Sequence, residues 1–252
     1  MYHDVVEPGG EDASGFPGRD ANSYKITVDR FRAHLDAILA RLSSSGLPAF
    51  TFDDGGAGAS VAADMLEASG QRGYFFVTAN YIGARGFVGA AALRDLNRRG
   101  HVIGSHSCSH PLRIGHCSPG QLREEWSRSR EAISAILGRD ITVASVPGGD
   151  FRPAVAEAAA EAGFTDLFTS EPTATSDRAY GVTLHGRFTI RSWTGARTAA
   201  ALSAGDCLPR AQQALAWKVK KLGKQLGGER YLRIRRLLLG DRRQVQWGDC
   251  RD

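Results

Sequence analysis

Cysteine is scarce in this chain. Cys108, Cys117, Cys207 and Cys250 are the four among 252 residues, and no two form a CxxC pair. That pattern argues against a disulfide-built scaffold and fits a reducing compartment. No apolar run approaches the length of a membrane span. The chain does not open on a basic stretch followed by an apolar one, so a cytoplasmic location, or one peripheral to a membrane, is expected. No internal repeat is visible. Acidic residues are nearly missing from one segment: between Lys218 and Arg243, ten basic residues face only Glu229 and Asp241. That segment carries +8 of a chain whose net charge is +5, so the remainder carries −3. The basicity belongs to the tail and not to the body.

What is present suits one large α/β domain with an appendage. Hydrophobic residues make up 42% and charged residues 23%, enough for a substantial core under an ordinary surface. Met1–Val6 reads as a short strand holding a histidine, and residues 7–22 read as a loop rich in Gly, Pro and Asp. Thr27 caps a helix in which Phe31, Leu35, Ile38, Leu39 and Leu42 recur at helical spacing up to Gly46. Leu47–Phe52 is a strand. Ala59–Ser69 is a helix with Val61, Met65 and Leu66 turned inward. Tyr74–Thr78 is a buried strand, and Gly89–Arg99 a helix. Val102–Ser105 is a strand, and the helix from Ser118-Pro119 runs to Gly138. Ile141–Val146 is a strand, Pro153–Ala162 a helix, Phe164–Thr169 a weak strand, and Thr183–Ile190 a last strand. Regular alternation predicts about seven parallel strands with helices outside. The expected domains are a barrel over 1–205 and a basic helical extension over 206–252.

The unusual polar residues fall at strand ends, which is where such folds carry their chemistry. Thr51-Phe52-Asp53-Asp54-Gly55 sets two carboxylates side by side where a strand turns into Gly-Gly. Adjacent carboxylates repel, and a bound cation would let one act as ligand and the other as base. A polar turn is the plain alternative, because Asp-Gly is a common turn pair. His106 and His110 follow another strand at the spacing of one helical turn. Two histidines and a carboxylate make a zinc-type set that leaves positions open for water and substrate. A divalent ion there would acidify a water toward neutrality, so hydrolysis of an ester or amide follows. Cys108 lies between the histidines and is expected to be a buried free thiol.

Taken in order, Thr51-Phe52-Asp53-Asp54-Gly55, then Ser105-His106-Ser107-Cys108-Ser109-His110-Pro111, then the strand end Pro147-Gly148, resemble the polysaccharide deacetylases. These are carbohydrate esterase family four, with the NodB-type domain. The resemblance covers roughly residues 1–190. It implies a distorted (β/α) barrel and metal-dependent removal of N-acetyl groups from a glycan, usually an N-acetylglucosamine polymer or exopolysaccharide. It implies zinc first, then cobalt or nickel. Position by position, Asp53 matches the catalytic base, while Asp54, His106 and His110 match the metal ligands. Tyr2-His3-Asp4-Val5 is similar to the N-terminal motif of the branch that deacetylates biofilm poly-N-acetylglucosamine, which makes His3 the general acid. Leu184-His185 has the wrong spacing for the late Leu-x-His acid of other members. Pro147, Gly148 and Gly149 are candidates for the substrate-binding loop.

Two departures from the family pattern stand out. Ser145 occupies the position of an arginine that orders the base; Arg152 and Arg187 are the candidates to replace it. No acidic, tryptophan-bearing strand end is recognisable, Asp166 being a weak match. A catalytically impaired glycan- or membrane-binding protein is therefore the alternative reading. Leu208–Leu239 mixes Leu, Ile and Trp with Lys and Arg. Helices packed on the barrel are expected first, and peripheral contact with an anionic membrane through 208–243 second. Nucleic acid is not an expected partner, since basic charge is its only support.

Overall fold

In a computed structural model of the chain, the structure describes residues 1–41 and 49–219. The strand approach at 47–48, the helix end at 42–46 and the tail beyond 219 lie outside the described residues.

The strands are β1 (Asp4–Val6), β2 (Lys25–Thr27), β3 (Phe50–Phe52), β4 (Gly73–Val77), β5 (Val102–Ser105), β6 (Val143–Ser145), β7 (Asp166–Phe168), β8 (Ser176–Ala179) and β9 (Val182–His185). The helices are α1 (Arg19–Asn22), α2 (Val28–Arg41), α3 (Ala59–Ala68), α4 (Ala90–Arg98), α5 (Pro119–Leu137), α6 (Pro153–Glu161), α7 (Ala196–Ala204) and α8 (207–219). Seven strands form one sheet in the order β3-β4-β5-β6-β7-β9-β8. All pairings are parallel except β8 with β9. β1 and β2 make a separate parallel pair.

The sheet curls, and the start of the chain fills the remaining side. Tyr2 bridges Phe52 in parallel: its N–H donates to Thr51 at 2.7 Å, and Asp53 N–H donates to its carbonyl at 3.1 Å. On the other flank the Met1 nitrogen donates to Phe188 at 2.8 Å, and Ile190 N–H donates to Met1 at 2.9 Å. Residues 1–2 thus run between β3 and the strip 188–190, all in one direction. The result is the distorted barrel expected, with helices outside and a helical C-terminal part.

Local chemistry explains the helices. Thr27 Oγ1 accepts from Arg30 N–H at 3.4 Å, capping α2, whose buried Phe31, His34, Leu35 and Ile38 form one stripe. Ser118 and Gln121 form a capping box on α5, Pro119 opens it, and Gly138 closes it at φ 67°. Leu122, Trp126, Ser129 and Ile133 make its inner stripe. Between the sheet and α2, Phe52 stacks on Phe75 (4.9 Å) and Tyr2 (5.5 Å), with Phe31 edge-on to Tyr2.

Four expectations are corrected. Val61 does not turn inward: it is 39% exposed, and Ala59, Ala62, Ala63 and Leu66 form the buried face of α3. The sheet is not wholly parallel, because β8 returns as an antiparallel edge whose residues are almost all exposed. The last strand is not continuous to Ile190. It ends at His185; Arg187 N–H then turns to the carbonyl of Glu171, and pairing resumes on Met1. Residues 7–22 are not all loop, since they hold a 3-10 turn at Glu11–Ala13 and α1.

Candidate active site

β3 delivers Asp53 and Asp54 to the rim, and the backbone separates them. Asp53 continues the strand and points into the barrel, buried. Asp54 takes φ 73° and Gly55 φ 82°, so the chain reverses at once and the second carboxylate swings outward. A Cβ on Gly55 would lie 2.9 Å from Val77, which leaves glycine as the residue that fits.

β5 delivers His106, whose N–H donates to Val77 at 2.8 Å. The following loop brings His110 back beside it, ring centroids 5.0 Å apart. This return needs left-handed backbone at Ser107 (φ 64°) and His110 (φ 60°). With Asp54 these are three of the four non-glycine residues at positive φ among the described residues, a concentration of strain that active sites commonly hold. The loop is fastened from several sides. Ser105 Oγ accepts from Ser107 N–H (3.0 Å), and Ser107 Oγ accepts from His110 N–H (3.1 Å). Glu125, on α5, accepts from the N–H groups of Cys108 (2.9 Å) and Ser109 (2.8 Å) and from Ser109 Oγ (2.6 Å). Sequence reasoning missed Glu125. Its signal is a carboxylate on the same helical stripe as Leu122 and Ser129. Phe16, also missed, packs against the His110 ring at 4.8 Å.

Asp54 Oδ1 lies 3.4 Å from His106 Nε2 and 3.5 Å from His110 Nε2. The three donor atoms fall within 4.8 Å of one another. His106 Nδ1 faces the carbonyl of Ser145 at 3.0 Å, which puts a proton on Nδ1 and leaves Nε2 as the nitrogen that would bind a metal. Two imidazoles and one carboxylate so arranged fit a divalent transition metal. Burial opposes charge on Asp54, but its contacts with His106 and His110 outweigh it and hold the carboxyl well below its ordinary range. Cys108 is a buried free thiol whose Sγ donates to Asn80 Oδ1 at 3.2 Å, away from this set.

Asp53 is gripped by Arg187. Nη1 donates to Oδ1 at 2.7 Å and Nη2 to Oδ2 at 2.9 Å. Arg187 Nη2 also donates to Ser145 Oγ (2.7 Å), and Ser145 Oγ lies 3.3 Å from both carboxylate oxygens. Nε donates to the carbonyl of Thr169 at 2.9 Å. Burial would raise the Asp53 carboxyl, but the Arg187 guanidinium, aided by His106, holds it below its ordinary value. Of the two arginines left open by the sequence, Arg187 stands at the aspartate. Arg152 is exposed and donates to His116.

His3 emerges at the same rim, just past Tyr2, with its ring 4.4 Å from that of Tyr24. Its Nδ1 is buried without a hydrogen-bond partner. Burial pushes the imidazole down to about 4, with Asp54 and Asp53 acting against that shift. His185 lies elsewhere: Nε2 pairs with Asp166 at 2.7 Å, and Nδ1 meets Ser176 Oγ at 2.8 Å. Pro147–Gly149 forms a 3-10 turn after β6, with Gly148 at φ 62°. Trp217 of α8 reaches this turn, and a Cβ on Gly149 would meet its ring at 2.7 Å.

Residues 44–167 match the family model described as polysaccharide deacetylase. No curated protein matches the chain. Solved structures similar to it include the Streptococcus pyogenes deacetylase PplD in complex with acetate. That one is 18% identical with TM-score 0.63, over 78% of this chain and 92% of that one. A de-N-acetylase from Aggregatibacter actinomycetemcomitans is 20% identical with TM-score 0.62, over 77% and 94%. IcaB from Ammonifex degensii is 21% identical with TM-score 0.59, over 71% and 91%. At these identities the likeness is one of fold. The family match and the fold agree: through residues 44–167 the chain is similar to the polysaccharide deacetylase family.

Proposed function

We propose that this protein is a metal-dependent N-deacetylase of a glycan containing N-acetylglucosamine. The observation that carries the reading is the meeting, at one barrel rim, of the Asp54-His106-His110 donor set with a separately clamped Asp53 and an imidazole, His3, near both aspartates. A divalent ion held by Asp54, His106 and His110 supplies polarisation of the acetyl carbonyl and an acidified water.

The remaining steps belong to the chain. Arg187 occupies two lone-pair directions of Asp53, and its charge keeps the carboxylate ionised, so a free direction accepts the proton of the attacking water. That water's oxygen bonds to the carbonyl carbon. The proton that Asp53 took from the water passes by way of neutral His3 to the departing nitrogen as the C–N bond breaks, which returns Asp53 to its carboxylate and His3 to its neutral form. Acetate and a sugar amine leave. Ser145 in the arginine position is the main ground for an impaired, binding-only protein, and Arg187 removes that ground by supplying a guanidinium to the same carboxylate.

The test is release of acetate from N-acetylglucosamine oligomers. Activity lost to a chelator and restored by zinc, cobalt or nickel supports the reading, as does an Asp53→Asn variant that keeps its metal and does not turn over. Metal-loaded protein that releases no acetate from any such oligomer sinks it.

A further inference from the structure

The turn after the barrel's closing strip presents an aromatic surface that the chemistry above does not use. Strip 188–190 runs parallel to residues 1–2, which run parallel to β3. The chain therefore leaves Ile190 at the rim where His3 and Asp53 emerge. From His3 the contacts continue outward. Its ring meets Tyr24 at 4.4 Å, the Arg191 guanidinium lies over Tyr24 at 3.7 Å, and Arg191 is 5.6 Å from the Trp193 ring.

Trp193 is 68% exposed, although the turn that bears it is firmly held. Thr194 N–H donates to Arg191 O (2.9 Å), and Arg191 N–H donates to Thr194 Oγ1 (2.9 Å). Ser192 N–H and Arg191 Nη1 both bond Ser23, at 2.8 and 2.9 Å. The Thr194 carbonyl lies 2.9 Å from His34 Nε2. A turn anchored at both ends has no folding need for an indole at its tip, and an exposed indole leaves apolar surface in water. A rigid aromatic beside a cleft is the usual anchor of a binding site, because little conformational entropy is lost on contact. The C–H face of a pyranose ring carries partial positive charge and stacks on the negative face of an indole.

We infer that Trp193, steadied by Arg191, is a stacking platform for a sugar unit adjoining the one whose acetyl group is removed, on the His3 side of the site. The inference rests on the glycan-deacetylase reading and adds that the enzyme recognises a chain and not a lone sugar. Its test compares wild type with Trp193→Ala and Trp193→Phe, all metal-loaded and full length. Substrates are N-acetylglucosamine oligomers of increasing length and a small soluble acetyl ester. Binding of a long oligomer to each variant in an Asp53→Asn background is measured by calorimetry.

The expected result is that kcat/KM rises with oligomer length in wild type. In Trp193→Ala the ratio of long-oligomer to small-ester turnover falls about five- to tenfold, oligomer binding weakens by a similar factor, and Phe restores most of both. An unchanged ratio with unchanged oligomer binding overturns the platform while leaving the deacetylase reading intact. Wild-type protein that neither binds nor deacetylates any oligomer overturns both, so the two failures are distinguishable.

Discussion

Arg187 holds both carboxylate oxygens of Asp53, at 2.7 and 2.9 Å, from a position 134 residues away in the chain. Ser145, the residue that leaves space for it, touches both partners. An arginine at 145 would reach into the volume that Arg187 fills, so the two positions are alternatives for supplying one guanidinium.

Arg187→Ala strands a buried carboxylate. A cost of about 3–5 kcal/mol in stability is expected, with a loss of at least about 100-fold in kcat, because Asp53 loses its orientation. Arg187→Lys recovers little, since an ammonium cannot make the two-pronged contact. Ser145→Arg alone crowds two guanidiniums together and destabilises the fold. Ser145→Arg combined with Arg187→Ser regains part of the lost rate. Denaturant unfolding and acetate release on these four variants and on Arg187→Ser alone check this; a double variant no better than Arg187→Ser removes the equivalence of the two positions.

His3 and His185 separate under mutation. His3 lies at the rim near both aspartates, and its Nδ1 has no partner to satisfy. His3→Ala is expected to lower kcat by about 10²–10⁴-fold with little change in stability. His185 pairs with Asp166 on a partly exposed flank, so His185→Ala costs about 1 kcal/mol or less and leaves turnover within about twofold. Steady-state kinetics on both variants decide, and the opposite ranking would move the acid to His185.

Glu125 is predicted to govern metal affinity without touching the ligand atoms. Its carboxylate collects two backbone N–H groups and one hydroxyl from the loop that must hold Ser107 and His110 at positive φ. Glu125→Ala releases that loop and should weaken metal binding about 10- to 100-fold, while Glu125→Gln, which keeps an acceptor, should lose less. Titration with a chelating competitor measures this. Equal affinity in all three proteins would assign Glu125 to helix solubility alone.

The parts of this molecule legible in the sequence share a physical reason. Strands β3, β4 and β5 are buried on both faces and read as apolar runs, and the motifs sit where those runs stop. β8 was not legible, because Ser176-Asp177-Arg178-Ala179 is an exposed edge with no apolar period. β2 was hidden by its length of three residues and by Thr27, which serves as strand end and helix cap together. The candidate donor set could be read from spacing, since Asp53-Asp54 and His106–His110 are local. The partner of Asp53 could not. It depends on which arginine the curl of the sheet carries to the barrel interior, and Arg152 and Arg187 look alike until β9 breaks after His185.

Asp4, on β1, offers a pH test. It is buried, with Oδ2 accepting from Ser14 Oγ at 2.6 Å and Oδ1 from Val5 N–H at 3.0 Å. Gly56 is pressed against it so closely that a Cβ there would lie 2.0 Å from Oδ2. Burial pushes its carboxyl up to about 6 from an ordinary 3.8, although Ser14 and the Lys25 charge act the other way. The folded state therefore holds the proton more tightly than the unfolded chain. The associated stability is complete below pH 3.8 and is lost as the pH rises through about 6. A shift of this size corresponds to roughly 3 kcal/mol. Asp4→Asn keeps the acceptor and cannot ionise, so it removes this dependence. Stability of wild type minus that of Asp4→Asn, measured by denaturant unfolding, should fall by about that amount between pH 4 and 6 and then level off. A difference that stays flat over this range would mean that Asp4 ionises in the fold as easily as in water, with Lys25 and Ser14 offsetting the whole cost of burial.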